Sequence, residues 1–326
     1  MTAVVSSPPP FDAELGAALA ALGDQLPPSL TPEMIPIMRQ GAAVMGTISD
    51  DDLRRDGRFT VEERAVPGLD GDPDVSLLIC RPAAVAEAAG CLYHTHGGGM
   101  ILGDNRAGID LMLDLAEEFG LVVVSVEYRL APETPHPGPV NDCYAGLLWT
   151  AAHAGELGFG PGRLIVAGGS AGGGLAAALA LMARDLGGPE LLGQLLICPM
   201  LDDRNESASA VQMEGLGVWD RTANRTGWGA LLGDAAGGPD VSPYAAPARA
   251  ADLGNLPPAF VDVGSAETFR DEDVAYASRI WQAGGRAELH VWPGAFHGFD
   301  MMAPAAVISQ DARQARFRWL NRLLNA

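Results

Sequence analysis

The sequence contains no lysine: all 21 basic residues in its 326 positions are arginines. A chain without lysine cannot form a Schiff base, a Ser–Lys dyad or the lysine contact of a Walker-type phosphate loop. Acidic residues are twice as frequent, with 41 Asp and Glu, so the formal net charge is −20. Phosphate backbones and anionic lipid surfaces need a basic patch, which such a charge opposes. We therefore expect neither a nucleic-acid partner nor a membrane partner.

Cysteine is also rare, with four residues that are far apart in the sequence: Cys80, Cys91, Cys143 and Cys198. Their apolar neighbours favour buried thiols in a reducing compartment over disulfides. No histidine, cysteine or carboxylate cluster has zinc spacing, so we expect no metal and no cofactor. The opening MTAVVSSPPP lacks a basic region before its prolines, so we expect no secretory signal and a cytoplasmic protein.

Hydrophobic residues make up 48% of the chain and charged residues 19%, which is enough apolar material for a large core. From residue 58 onward, short apolar runs alternate with helical patterns. This alternation predicts an α/β fold with a mostly parallel eight-stranded sheet flanked by helices. The predicted strands are Phe59–Ala65, Val75–Cys80, Cys91–His94, Val122–Val126, Leu164–Ala167, Leu195–Cys198, Ala259–Val263 and Ala287–Val291.

Two segments do not fit the alternation and predict a helical cap. Residues 1–50 have helical spacing, and a long connection separates the sixth and seventh predicted strands. We expect N-terminal cap helices at 1–50, a catalytic core at 51–202 and 241–326, and a cap insertion at 203–240. Apolar residues of the two cap segments are candidate pocket walls: Met34, Ile37, Met38, Met213, Leu216, Val218 and Trp219.

Residues 168–172 read Gly-Gly-Ser-Ala-Gly and match the pattern G-x-S-x-G. The pattern directly follows the predicted strand at Leu164–Ala167 and directly precedes a helical run of small residues. A nucleophilic serine needs such a sharp strand-to-helix turn, whose strained backbone tolerates only small neighbours. We therefore predict that Ser170 is a catalytic nucleophile, with a plain glycine-rich turn as the alternative.

The tetrad HGGG at residues 96–99 follows the third predicted strand. Three consecutive glycines let main-chain N–H groups approach a substrate oxygen without side-chain interference. In lipases and esterases such a loop supplies part of the oxyanion hole, which the N–H after the nucleophile completes. The pattern therefore predicts Gly98, Gly99 and Ala171 as oxyanion donors. Neither glycine cluster fits the dinucleotide-binding pattern G-x-G-x-x-G.

A nucleophilic serine needs a base, and the chain has six histidines. His297 follows the last predicted strand on a glycine-flanked loop, which is where parallel sheets build their sites. We therefore predict that His297 is the base, with His136 as the weaker alternative.

The supporting acid belongs between the serine and the histidine in this chain order. Glu267 is the loop carboxylate nearest the end of the seventh predicted strand, and we choose it as the acid. Other carboxylates stay open as the acid or as ordinary structural groups: Asp202, Asp262, Asp271, Glu272 and Asp273.

These motifs together resemble those of the hormone-sensitive-lipase-like esterases, the bacterial family IV group of the α/β-hydrolase fold. The similarity covers the segments HGGGM, GGSAGGG, VEYRLAPETPHPGPVND, SAETFRDEDVAYA and PGAFHGF. The resemblance implies a nucleophile at Ser170, an acid at Glu267, a histidine at His297, oxyanion donors at Gly98, Gly99 and Ala171, and a cap from the two helical segments.

The chain departs from the family pattern at two positions. Gly169 stands where the family usually has an acidic residue before the serine, and Glu267 stands where the acid is most often aspartate.

The sequence thus predicts a carboxylic-ester hydrolase that acts on short- to medium-chain esters without a cofactor. Hydrolysis of amides, lactones or peptides by the same triad is one alternative, and a non-catalytic small-molecule receptor on the same fold is another. A homodimer is left open.

Overall fold

The computed structural model describes residues 7–23, 29–45 and 48–326. Eight strands form a single sheet in the order β1-β2-β4-β3-β5-β6-β7-β8. They are β1 (Phe59–Val66), β2 (Val75–Pro82), β3 (Gly90–Thr95), β4 (Leu121–Glu127), β5 (Leu164–Gly169), β6 (Gly193–Ile197), β7 (Ala259–Gly264) and β8 (Ala287–Trp292). The β1–β2 and β2–β4 pairs are antiparallel, and all other neighbours are parallel. The predicted α/β fold and its eight strands are confirmed.

Helices connect and cover the strands. They are α1 (Ala13–Leu22), α2 (Ile35–Met45), α3 (Asp50–Arg54), α4 (Ile109–Phe119), α5 (Gly138–Ala152), α6 (Ala154–Leu157), α7 (Ala171–Asp185), α8 (Ala208–Gln212), α9 (Arg221–Leu232), α10 (Arg270–Gln282), α11 (Phe299–Met302) and α12 (Val307–Leu324). Among the described residues, no helix is both long enough and apolar enough to cross a membrane.

The central strands are buried on both faces, as their unbroken apolar runs predict. Every residue of β3, β6 and β7 is buried, because helices cover the two sides of the sheet. The helix α7 is buried from Ala171 to Ala183 and contacts β3, β5 and β6. Its run of glycine and alanine lets its backbone approach the sheet closely, which places the turn before it at the centre of the sheet edge.

The N-terminal segment and the insertion between β6 and β7 lie against the loops that follow the strands. Leu15 of α1 is buried with Phe296 and Phe299, and the Asp12 N–H donates to the Gly294 oxygen at 3.0 Å. On the other side, Thr226 of α9 donates from Oγ1 to the oxygen of Leu30 at 2.8 Å. Both segments therefore pack beside the sheet edge where parallel α/β folds build their sites.

Arg39 of α2 holds the N-terminal segment to the loops at the edge of the sheet. Arg39 donates from Nε to the Ile101 oxygen at 2.7 Å and from Nη2 to the Ala131 oxygen at 2.6 Å. The loop after β3 and the loop after β4 are thereby joined through one guanidinium group.

Candidate active site

Ser170 occupies a sharp turn between β5 and α7. Its backbone angles, φ 59° and ψ −126°, are ones that L-residues rarely adopt. Two hydrogen bonds hold the turn, from Ser170 N–H to the Ile197 oxygen at 2.8 Å and from Met200 N–H to the Ser170 oxygen at 2.9 Å. The strain presents the hydroxyl at the sheet edge instead of burying it in the helix.

The turn is closed by a contact that only glycine permits. A Cβ at Gly172 would lie 2.0 Å from the oxygen of Thr95, and Thr95 Oγ1 donates to the Gly172 oxygen at 2.7 Å. At Gly169 the nearest atom to a Cβ is 3.7 Å away, so this position has room for a side chain. The turn therefore keeps its shape through Thr95 although Gly169 replaces the acidic residue usual in the family.

His297 connects Ser170 to Glu267. Its Nε2 lies 2.9 Å from Ser170 Oγ, and its Nδ1 lies 3.0 Å from Glu267 Oε1. The other carboxylate oxygen of Glu267 accepts the Gly264 N–H at 3.1 Å. The Glu267 side chain is 1% exposed and that of His297 is 11% exposed. The structure thus brings together the three residues predicted as a triad, and the longer glutamate side chain reaches the imidazole.

The alternative acids have other partners. Asp202 pairs with Arg204 at 2.7 Å. Glu272 accepts the N–H of Leu201 at 2.8 Å and that of Asp202 at 3.1 Å, and burial raises its pKa well above the usual range. Both carboxylates therefore interact with groups of the loop after β6 and not with the imidazole of His297.

Asp271 and Asp273 lie in the first turn of α10, and within the described residues neither forms a hydrogen bond or an ion pair with His297. Asp271 pairs with Arg270 at 2.8 Å and accepts the Ser209 N–H at 2.8 Å. Asp273 is fully buried, and neither of its carboxylate oxygens has a hydrogen-bond partner in the described structure. Burial raises the pKa of Asp273 well above its usual range.

The remaining alternative acid, Asp262, belongs to a buried ion network that no sequence motif marks. Arg316 of α12 donates from Nε to Asp262 at 2.9 Å and from Nη1 to Asp300. Trp292 Nε1 also donates to Asp262, at 3.1 Å. Asp300 follows His297 by three residues and Asp262 precedes Glu267 by five, so Arg316 ties together the segments that carry the histidine and the acid.

The other histidines have structural contacts. His94 Nδ1 lies 2.9 Å from Ser125 Oγ, and burial lowers the pKa of His94 to about 3. His96 stacks on Tyr128 with ring centroids 4.0 Å apart, and burial lowers the pKa of His96 to about 4. The main-chain N–H of His136 donates to the main-chain oxygen of Leu231 in α9 at 2.9 Å. The structure does not bring His136 to Ser170.

The HGGG loop lies directly beside the serine turn. A Cβ at Gly97 would be 3.1 Å from the Gly169 oxygen and 3.5 Å from Ser170 Cβ. Gly98 and Gly99 have φ values of +118° and +62°, which disfavour any larger residue. The loop is closed by N–H donation from Ile101 to the Gly98 oxygen at 3.0 Å. Glycine here allows the backbone, with its N–H groups, to lie next to the nucleophile.

The insertion between β6 and β7 contributes Trp219 to the same place. A Cβ on Gly99 would lie 2.1 Å from Cη2 of Trp219, so the indole lies directly against the glycine loop. Trp219 is 9% exposed, and Ile37 of α2 is 66% exposed. Of the candidate wall residues, Trp219 therefore lies against the HGGG loop, a placement that composition and periodicity could not reveal.

An α/β-hydrolase fold family matches residues 92–301 of the chain. The carboxylesterase NlhH of Mycobacterium tuberculosis is 35% identical over 276 residues, covering 82% of this chain and 83% of that protein. The chain belongs to the hormone-sensitive-lipase-like family of α/β hydrolases. The resemblance drawn from the sequence motifs is thus confirmed, and the protein is an enzyme of this esterase family.

Two further proteins are similar to this hydrolase over much of its length. The ethyl acetate hydrolase of Pseudomonas putida is 32% identical over 220 residues, covering 67% of this chain and 68% of that protein. The solved structure of a bacterial heroin esterase superposes with a TM-score of 0.87 at 40% identity, covering 97% of this chain and 98% of that one. The hydrolase core and the segments packed on it therefore have counterparts in a known esterase structure.

Proposed function

We propose that the protein hydrolyses short- to medium-chain carboxylic esters through an acyl-enzyme formed on Ser170. The observation that carries the proposal is the continuous contact from Ser170 Oγ through His297 to Glu267, with separations of 2.9 Å and 3.0 Å. Nucleophile, base and orienting carboxylate lie within hydrogen-bond reach in that order.

In the first half-reaction, Ser170 Oγ attacks the ester carbonyl carbon while His297 Nε2 accepts the hydroxyl proton. The same nitrogen then returns the proton to the departing alcohol, which leaves an acyl group on Ser170. In the second half-reaction, His297 removes a proton from water and the hydroxide so formed attacks the acyl carbon. His297 then returns the proton to Ser170 Oγ as the bond to the acyl group breaks and the carboxylic acid leaves. Glu267 holds Nδ1 protonated, so that Nε2 is free to accept, and stabilises the imidazolium.

Main-chain N–H groups of Gly98, Gly99 and Ala171 are the proposed donors to the oxyanion. Gly98 and Gly99 belong to the loop against the serine turn, and Ala171 is the first residue of α7. Removing one such donor costs about 10²–10³ in rate in other acyl-transfer enzymes, so this loop supplies a large share of catalysis. No metal or cofactor takes part in these steps.

The position of Trp219 supports a short or medium acyl chain. Its indole narrows the space beside Gly99, and a long chain would need a deep tunnel or an open interface. A relative named for ethyl acetate hydrolysis supports the same size class. Amide, lactone or peptide hydrolysis by the same groups is the second candidate, because only the pocket separates these substrates. A non-catalytic receptor is disfavoured by the ordered Ser170–His297–Glu267 contacts.

The test is kcat/KM for p-nitrophenyl esters of increasing acyl length, with a matched p-nitroanilide and an emulsified long-chain triglyceride. We expect a maximum at short to medium esters and loss of turnover in Ser170→Ala, with covalent phosphonate labelling confined to Ser170. Faster hydrolysis of the anilide or of the triglyceride would refute the proposal. A cytoplasmic location and a homodimer stay predictions.

A further inference from the structure

Cys198 lies beside the triad, where the sequence spacing indicated no metal ligands. It directly follows β6, the strand between the one that leads to Ser170 and the one that leads to Glu267. The main-chain N–H of Cys198 donates to the main-chain oxygen of Asp262 at 2.7 Å. The φ angle of Cys198 is +37°, an unusual value for a residue with a side chain. This backbone position places the thiol at the sheet edge among the catalytic groups.

Three ligand types meet at this point. A sulfur of Cys198, a carboxylate oxygen of Glu267 and a ring nitrogen of His297 all lie within 4.8 Å of one another. Ligand atoms on one tetrahedral zinc ion are about 3.3–3.6 Å apart, given bonds of about 2.0–2.3 Å. Small side-chain movements would bring the three atoms to that separation. Thiolate, imidazole and carboxylate are the ligands that zinc takes in proteins.

The charge around Cys198 also favours a cation. Glu267, Glu272 and Asp273 are buried, and among the described residues none of the three has an arginine within salt-bridge distance. Both oxygens of Asp273 lack any hydrogen-bond partner there. A divalent cation would offset this buried negative charge, which protonation otherwise has to remove.

We propose that Cys198, Glu267 and His297 form an inhibitory zinc site that takes the catalytic base out of use. As the Zn–S bond forms, the thiol proton passes to solvent. If zinc binds Nε2 of His297, that nitrogen cannot accept the Ser170 proton. If zinc binds Nδ1, the imidazole proton moves to Nε2, which again cannot accept. Either mode stops acyl transfer without touching Ser170 itself.

The proposal assigns zinc a regulatory role and rests on the esterase mechanism only for its inhibition readout. Binding itself is independent of turnover, because Ser170 is not a ligand. The Ser170→Ala variant therefore provides an inactive protein in which metal binding can be measured directly, whether or not the proposed activity is correct.

The first experiment titrates zinc chloride into metal-stripped enzyme, kept reduced with a phosphine, during hydrolysis of p-nitrophenyl butyrate. We expect inhibition that EDTA reverses. Cys198→Ser and Cys198→Ala should each raise the half-inhibitory zinc concentration by at least about tenfold, equivalent to about 1.4 kcal/mol of binding. Cys80→Ala, which removes a buried thiol on β2 away from this edge, should leave the zinc response unchanged.

The second experiment adds cobalt(II) to Ser170→Ala protein and records the near-ultraviolet thiolate-to-cobalt absorption. We expect a band that is absent from Ser170→Ala/Cys198→Ser. Absence of the band, or zinc inhibition that is equal in wild type and in both Cys198 variants, would overturn the proposal. An enzyme that hydrolyses no ester but shows the Cys198-dependent band would refute the proposed function and leave the metal site standing.

Discussion

Thr268 donates a hydrogen bond of 2.6 Å from Oγ1 to the main-chain oxygen of Trp219. Thr268 is fully buried and directly follows the proposed acid Glu267, whereas Trp219 belongs to the insertion between β6 and β7. Trp219 is therefore fixed to the loop that carries Glu267. Movement of this part of the insertion would therefore disturb the proposed acid as well as the contact between Trp219 and Gly99.

Trp219→Ala should extend the range of accepted acyl chains. Loss of the indole opens space beside Gly99, and one additional methylene accommodated by a pocket changes kcat/KM by about 10-fold or more. We expect the ratio of kcat/KM for octanoate over acetate p-nitrophenyl esters to rise by about that factor. Trp281→Ala, which removes a half-exposed indole on α10, is the matched control. An unchanged ratio would show that Trp219 does not bound the acyl site.

Gly99→Ala should lower kcat sharply. Its methyl group would collide with the Trp219 indole, so the loop and its N–H groups must shift, at a cost of about 10²–10³ in rate if one donor is lost. Gly108→Ala places the same residue at φ +74° with no atom within 4 Å, which isolates backbone strain from the collision. In a Trp219→Ala background, Gly99→Ala should lower kcat by a smaller factor than it does in the wild-type protein. Equal losses for Gly99→Ala and Gly108→Ala would contradict this account.

Glu267→Gln should reduce kcat by about 10⁴ because an amide no longer holds the imidazole in its productive tautomer. Asp202→Asn, at the alternative acid position, should reduce kcat far less, since its carboxylate pairs with Arg204. Steady-state kinetics with p-nitrophenyl butyrate compares the two variants. A larger loss of kcat in Asp202→Asn than in Glu267→Gln would instead identify Asp202, in the loop after β6, as the acid.

Arg316→Met should destabilise the protein and impair catalysis together. It leaves Asp262 and Asp300 buried without their cation, and breaking such a network costs about 3–5 kcal/mol. We expect kcat to fall more than KM changes, because Arg316 joins the segments that carry His297 and Glu267. Arg318→Met, on the exposed face of the same helix, is the control. Denaturant unfolding indistinguishable from wild type would exclude the network as a stabilising element.

Asp273→Asn should stabilise the protein in a pH-dependent way. Burial raises the pKa of Asp273, so the folded protein holds a proton that the unfolded chain releases near pH 4. The stability that this proton provides is full below that pH and is lost as pH rises toward the folded-state pKa. The increase in folding stability produced by Asp273→Asn should therefore be clear at pH 8 and vanish near pH 4.

Thermal unfolding across this pH range provides the measurement for Asp273→Asn. The exposed Asp240→Asn serves as the control and should show no such trend. A gain that is the same at pH 4 and at pH 8 would indicate that Asp273 is not a buried, protonated acid.

The sequence was most informative where chemistry or periodicity leaves a local trace. Unbroken apolar runs marked the buried strands, and the glycines around Ser170 marked the turn, because Gly172 has no room for a Cβ beside Thr95. No local sequence pattern marks the role of Arg316, because its partners Asp300 and Asp262 lie 16 and 54 residues away in the chain. The sequence predicts only a buried thiol at Cys198, because it is the order of the strands in the sheet that brings this residue to Glu267 and His297.

The order of the strands also determines when activity can emerge during refolding. Ser170 follows β5, Glu267 follows β7 and His297 follows β8, and the contact from His297 to Ser170 spans 127 positions. Contacts between residues so far apart in the sequence form late in folding. The conformational entropy lost on closing the long loop precedes the stabilisation that the contact provides. A chain paired only through β6 would hold the strained Ser170 turn without its contact to His297. Recovery of hydrolysis after dilution from denaturant should therefore lag behind recovery of secondary structure.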